Sequence, residues 1–132
     1  MNDQNVPGAS LGPIRCVTVP VTDLDAAARC YGEFLGFRTL ARDAVPAELA
    51  QLWSAPAVAK REQLIMAPAA SDDFVFRFVA TDHATRFAPF STWGWNAAEI
   101  IVRDVDALAG QLADSPFRVI GAPQNLSFSD DI

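Results

Sequence analysis

The chain is poor in the residues that most often announce a chemistry. It has one histidine and two cysteines in 132 residues. The cysteines, Cys16 and Cys30, show no CxxC spacing, so the expectation is two reduced thiols in a cytoplasmic protein rather than a disulfide framework. No apolar run reaches the roughly 18–20 residues needed to span a bilayer. The opening MNDQNVPGASLGP has neither the basic nor the apolar block of a signal peptide. Basic residues never gather into a stripe: Lys60-Arg61 is the only basic pair, and the net charge is −6. That balance argues against nucleic-acid and membrane partners and suits ordinary solubility. There is no P-loop, no GxSxG elbow and no dinucleotide fingerprint.

What is present is a globular composition, 51% hydrophobic and 20% charged, at a length that fits one domain. IRCVTVPV (14–21) alternates as a strand, with Val17, Val19 and Val21 on one face and Cys16, Thr18 and Pro20 on the other. Thr22 is the expected N-cap of the following helix, with Asp25 returning the bond in a variant of the capping box. Leu24, Ala27, Ala28, Tyr31, Phe34 and Leu35 recur at helical spacing, Gly36 stops the helix, and a second strand starts at Phe37. VPAELAQLW (45–53) is a short helix with Pro46 near its start. REQLIMAP and DDFVFRFVAT are two further strands separated by a turn. Beyond a broken, polar stretch, WNAAEIIV is expected as a strand, DVDALAGQLADS as a helix and FRVIGAP as a strand.

The chain repeats itself. VPVTDLDAAA (19–28) aligns without a gap on IIVRDVDALA (100–109) at an offset of 81, matching Val21/Val102, Asp23/Asp104, Asp25/Asp106, Ala26/Ala107 and Ala28/Ala109. GFRTL at 36–40 is echoed by PFRVI at 116–120. Such repetition implies two copies of one supersecondary module. The boundaries follow: a flexible lead-in over 1–13, a βαβββ module over 14–80, a linker over 81–94, and an incomplete βαβ second module over 95–132.

VTVPVTDLDAAARCYGEFLGF (17–37), the AELAQLW segment and GWNAAEIIVRDVDAL (94–108) resemble the vicinal oxygen chelate superfamily, the glyoxalase, bleomycin-resistance and extradiol-dioxygenase group. The resemblance implies an α+β fold: two βαβββ modules form a curved mixed sheet around a ligand cavity, with the helices outside. The second module lacks counterparts of REQLIMAP and FVFRFV. Those strands are expected from sequence beyond Ile132 or from another chain, with a homodimer as one form.

Metal-dependent members of the superfamily place ligands on the cavity faces. Counting back seven residues from Asp23 reaches Cys16, and from Asp104 reaches Ala97. The third position falls near VFRFV, where Arg77 stands in place of a carboxylate. The resemblance therefore implies a broken metal site, and no cofactor is expected. A divalent metal enters only under the alternative reading, in which Cys16, Glu99 and an outside residue complete the site. The cavity positions are Cys16, Thr18, Arg77, Trp95, Ala97, Glu99 and Ile101.

Several of these residues carry two readings. Cys16 is a reactive thiol if Arg15 or Arg77 lowers its pKa, and otherwise a small filler. Arg77 pairs with Glu99, meets an anionic ligand, or forms a structural contact. Glu99 is the one candidate catalytic group, as a general base, or simply Arg77's partner. Phe87, Phe90, Trp93 and Trp95 stack on a planar ligand or fill the gap between modules. Trp53 anchors the short helix, Cys30 packs, and His83 faces solvent. The expected function is metal-free small-molecule binding, in a domain that is non-catalytic on its own or part of a longer glyoxalase- or dioxygenase-like protein. The alternative is a metal-dependent lyase, isomerase or dioxygenase with an atypical site.

Overall fold

The computed structural model describes residues 12–83, 91, 93 and 97–124. In chain order the elements are β1 (Cys16–Val21), α1 (Leu24–Leu35), β2 (Phe37–Ala44), α2 (Ala47–Leu52), a 3-10 turn (Pro56–Val58), β3 (Glu62–Pro68), β4 (Val75–Ala80) and α3 (Val105–Ala113). The four strands form one mixed sheet in the order β1-β4-β3-β2. β1 and β4 run parallel, whereas β4 with β3 and β3 with β2 are antiparallel. A parallel pair cannot be joined by a tight turn; here everything from α1 to β3 lies between the two strands.

α1 begins at Asp23, not Thr22. Asp23 takes the extended backbone of an N-cap (φ −141, ψ 105) and its carboxylate accepts the Ala26 N–H at 2.8 Å. An Asp already seated at the boundary satisfies that orphan donor directly. Asp25 is thereby released from the expected box and forms an ion pair with Arg42 of β2. The helix ends as its sequence predicts, on Gly36 at φ 65, a left-handed turn that glycine enters without steric cost.

The alternation of β1 decides which side of the sheet is dry. Val17, Val19 and Val21 join Leu24, Ala27, Ala28, Tyr31 and Leu35 of α1 around a core of Phe37, Leu64, Met66, Phe76 and Phe78. Tyr31 is the hub. Its ring lies 4.6 Å from Phe78 and 5.6 Å from Phe37, both edge-on, the geometry that aromatic quadrupoles favour. Each large side chain buried here contributes about 1.5–3 kcal/mol of hydrophobic stabilisation.

The second copy of the repeat reproduces the cap. Asp104 sits at φ −143, ψ 104 and accepts the Ala107 N–H at 2.9 Å, which opens α3 as Asp23 opens α1. Phe117 then brings its ring within 5.6 Å of Tyr31, and the Gln111 side chain donates to the Glu33 carbonyl. The strands expected on either side of α3 do not form among the described residues. Residues 97–102 and 117–124 carry no strand. A strand exists only through a ladder, and no described segment lies alongside to complete one. Residues 1–11 of the expected lead-in, most of 84–96 and the tail 125–132 lie outside the described residues.

Candidate functional site

The sheet face turned away from α1 is built by the alternate residues of every strand. Register places Thr18 beside Arg77, Arg77 opposite Ile65, and Ile65 opposite Ala41, giving one row across the sheet. The neighbouring row runs Pro20, Val79, Gln63, Asp43. Residues 46–59 fold over this face as a flap whose base is clipped shut: Val45 N–H donates to the Arg61 carbonyl at 2.8 Å, and Lys60 N–H to the Val45 carbonyl at 2.9 Å. Val79, Val45 and Ala50 form a second small core, with Trp53, Val58 and Ala59 packed against it. Ser54 (φ 55) and Lys60 (φ 63) hold left-handed backbone at both ends of the 3-10 turn. Non-glycine residues rarely adopt that conformation, which costs about 1–2 kcal/mol each.

Between flap and sheet lies an open cleft of about 420 Å³ lined by Thr18, Pro20, Trp53, Ala55, Val58, Val79 and Thr81. Its walls are almost wholly apolar, with two threonine hydroxyls as polar exceptions. Arg77 stands at its margin, and its guanidinium carbon lies 5.1 Å from the centre of the Trp53 ring, within the range of a cation–π contact.

The electrostatics of Arg77 set it apart. Arg15, Arg38, Arg42 and Arg61 each form an ion pair with an aspartate or glutamate. Arg77 has none among the described residues, and its Nε is buried without a hydrogen-bond acceptor. Arg29, Arg103 and Arg118 also form no ion pair among the described residues, but they are exposed to solvent. One row away, Gln63 is 3% exposed. Its Nε2 donates to Asp43 at 2.8 Å, while its Oε1 has no partner. The face therefore carries an unpaired donor and an unpaired acceptor on diagonal residues of β3 and β4.

The sequence-expected site residues divide into two groups. Cys16, Thr18 and Arg77 share the cleft face. Cys16 is exposed at the start of β1, with its Sγ 4.0 Å from the Thr18 hydroxyl. Ala97, Glu99 and Ile101 lie in the segment without a strand; all three are exposed, and none lines the cleft. Trp95, Phe87 and Phe90 fall outside the described residues, and Trp93 is fully exposed. The pairing of Arg77 with Glu99 is absent. Arg77 instead lies against Trp53, because the flap returns over β4 while 97–102 has no ladder to hold it there. His83 is exposed, and its backbone carbonyl accepts from the Thr81 hydroxyl. Trp53, Ala55 and Val58 are lining residues that the sequence does not mark as part of the site. The one local signal was a tryptophan ending a short helix, and nothing nearby names its target 24 residues further on.

The ion pairs around the site shift their members predictably. Arg42, hydrogen-bonded to both Glu62 and Asp25, holds the Asp25 carboxyl below its ordinary range, and Arg61 does the same for Asp82. Burial raises the Tyr31 hydroxyl pKa. None of these groups lines the cleft beneath the flap.

The described residues at the expected ligand positions do not suit a divalent metal. At the positions where the resemblance places ligands stand an exposed thiol, a guanidinium and a methyl group. An arginine beside the site repels a cation. Among the described residues no three His, Cys, Asp or Glu side chains gather closely enough to hold one.

No family model matches the chain, and no curated protein matches it. In three dimensions it is similar to a glyoxalase family protein from Bacillus cereus, with 20% identity and a TM-score of 0.59, over 81% of this chain and 74% of that one. A second solved structure, SMU.1112c, aligns over 79% of this chain and 74% of its own at 17% identity, with a TM-score of 0.47. On the first of these and on the β1-β4-β3-β2 topology, the chain has a glyoxalase-like α+β fold.

Proposed function

We propose that this vicinal-oxygen-chelate-like domain binds a small molecule in the cleft between flap and sheet, and does so without a metal. Clefts of this size with apolar walls and a few placed polar groups are the usual form of small-molecule sites. The observation that carries the reading is Arg77. A half-buried guanidinium with no anion among the described residues, beside an apolar cleft, sits where a metal-dependent relative would need a ligand. Cys16 and Thr18 flank it on β1. Glu99 has no described contact with this face and takes no catalytic role here. The domain acts by holding its ligand.

Two measurements on the same preparation test this. Protein purified without chelator and dialysed should hold metal only in substoichiometric amounts. In EDTA it should still show thermal shifts with small apolar ligands. A ligand at a hundred times its Kd adds about 2.7 kcal/mol to stability, several degrees in Tm for a chain of this size. Stoichiometric metal that survives dialysis, with ligand shifts lost in EDTA, would refute the proposal.

A further inference from the structure

We infer that the ligand of this cleft is an organic monoanion with an apolar body, its carboxylate held end-on by the two terminal nitrogens of Arg77. The inference rests on the small-molecule reading above and narrows it to a substrate class. Four observations lead to it. First, ion pairing is the rule for the other partly covered arginine of the sheet region: Arg61 is bound to Asp82. Arg77 alone combines partial burial with the lack of any described carboxylate. A guanidinium taken partly out of water calls for an anion, and no described residue of the chain supplies one.

Second, the charge count limits that anion. Arg15, Arg38, Arg42 and Arg61 are already neutralised by protein carboxylates, and the nearest acid on the face, Asp43, is engaged by Gln63. Of the described cations Arg77 is the one placed against a cleft residue, and its single charge matches a carboxylate and leaves a phosphate dianion half compensated. Third, Nε is the buried edge of the guanidinium and has no acceptor, and Arg77 forms no ion pair among the described residues. The open edge of the guanidinium is therefore the terminal pair, whose spacing matches the two oxygens of a carboxylate. Fourth, beyond the charge the lining is Pro20, Trp53, Ala55, Val58 and Val79. That surface suits a hydrocarbon body; the hydroxyls of Thr18 and Thr81 are its two polar groups, too few for a sugar or a nucleotide. The Thr18 hydroxyl, beside Arg77 in the register, is the one polar group placed to reach the same head group.

The experiment compares acid and amide of the same body by titration calorimetry: octanoate against octanamide and 2-naphthoate against 2-naphthamide, with inorganic phosphate as a third probe. The acids are expected to bind at least tenfold more tightly than their amides, about 1.4 kcal/mol. Arg77→Met should abolish that preference and leave amide affinity unchanged. Arg77→Lys, which keeps the charge but loses the fork, should fall between. Far-UV circular dichroism of each variant separates lost binding from lost folding, and Trp53→Phe tests the wall without touching the charge. Equal affinity for acid and amide, or an acid preference that survives Arg77→Met, overturns the monoanion inference while leaving a small-molecule site standing. Binding of phosphate alone, or of none of these probes, also overturns it. Only metal-dependent binding would remove the underlying reading as well.

Discussion

Replacing Arg77 with methionine should make the ligand-free protein more stable, not less. Methionine keeps the aliphatic stem and its packing while removing the guanidinium. Two terms oppose each other. The buried Nε has no acceptor, and a buried unsatisfied donor costs about 1–3 kcal/mol. Against that, the contact with the Trp53 ring at 5.1 Å contributes about 0.5–1 kcal/mol in a partly exposed setting. The difference is a gain of between zero and about 2.5 kcal/mol. At this chain length each kcal/mol raises Tm by about 3–6 °C. Urea unfolding followed by tryptophan fluorescence reads the same quantity as a shift in midpoint at constant slope. A structural arginine predicts the opposite sign, because breaking a buried ion pair costs about 3–5 kcal/mol. Arg77→Met less stable than wild type by more than 1 kcal/mol would mean that the guanidinium is satisfied within the fold, and the reasoning that assigns it to a ligand would collapse. Stability gained together with carboxylate binding lost is the pattern of a residue kept for function at some expense to the fold.

Two further outcomes follow from the two caps and from the surface ion pairs. Asp23→Ala should lower global stability by about 0.5–2 kcal/mol, because α1 is packed into the aromatic core. The same change at Asp104 should barely move the urea midpoint, since no residue of α3 is buried and its fraying is uncoupled from global unfolding; equal losses at both positions would show that α3 is integral to the folding unit. Acid should weaken the fold through Asp25 and Asp82. Their folded pKa values are depressed below the ordinary 3.8 by hydrogen bonds and charge from Arg42 and Arg61. The stabilisation is thus complete above that value and fades as pH falls through the lower folded pKa. Asp25→Asn should flatten the dependence of the urea midpoint on pH between neutrality and pH 2, and an unchanged acid slope would exclude this pair as a contributor.

How far the fold was legible depended on how local each signal was. The alternation of Val17, Val19 and Val21 against Cys16, Thr18 and Pro20 is a property of one strand, and the structure keeps it. The α1 periodicity and its Gly36 stop behave the same way. The helix start was missed by one residue: Thr22 and Asp23 both offer side-chain oxygens, and only the backbone angle at the boundary selects between them. Arg77 was visible as an interruption in a phenylalanine-alternating strand. Its partner was not, because Glu99 and Trp53 are equally plausible until the chain path is known.

The sequence by itself determined the internal repeat of residues, the parity of β1 and β4 and the placing of a cation on the face opposite the phenylalanines. These follow from helix and strand periods that span a few residues, so composition and spacing carry them. Tertiary structure alone decided what that cation meets. Parallel pairing of β1 with β4 sets Thr18 beside Arg77, and the clip between Val45 and Lys60 lays Trp53 over it. The same ladder requirement left 97–102 without a strand, although its apolar run Ile100, Ile101, Val102 is strand-like. A strand is a property of two segments, and only the folded chain specifies which segments meet.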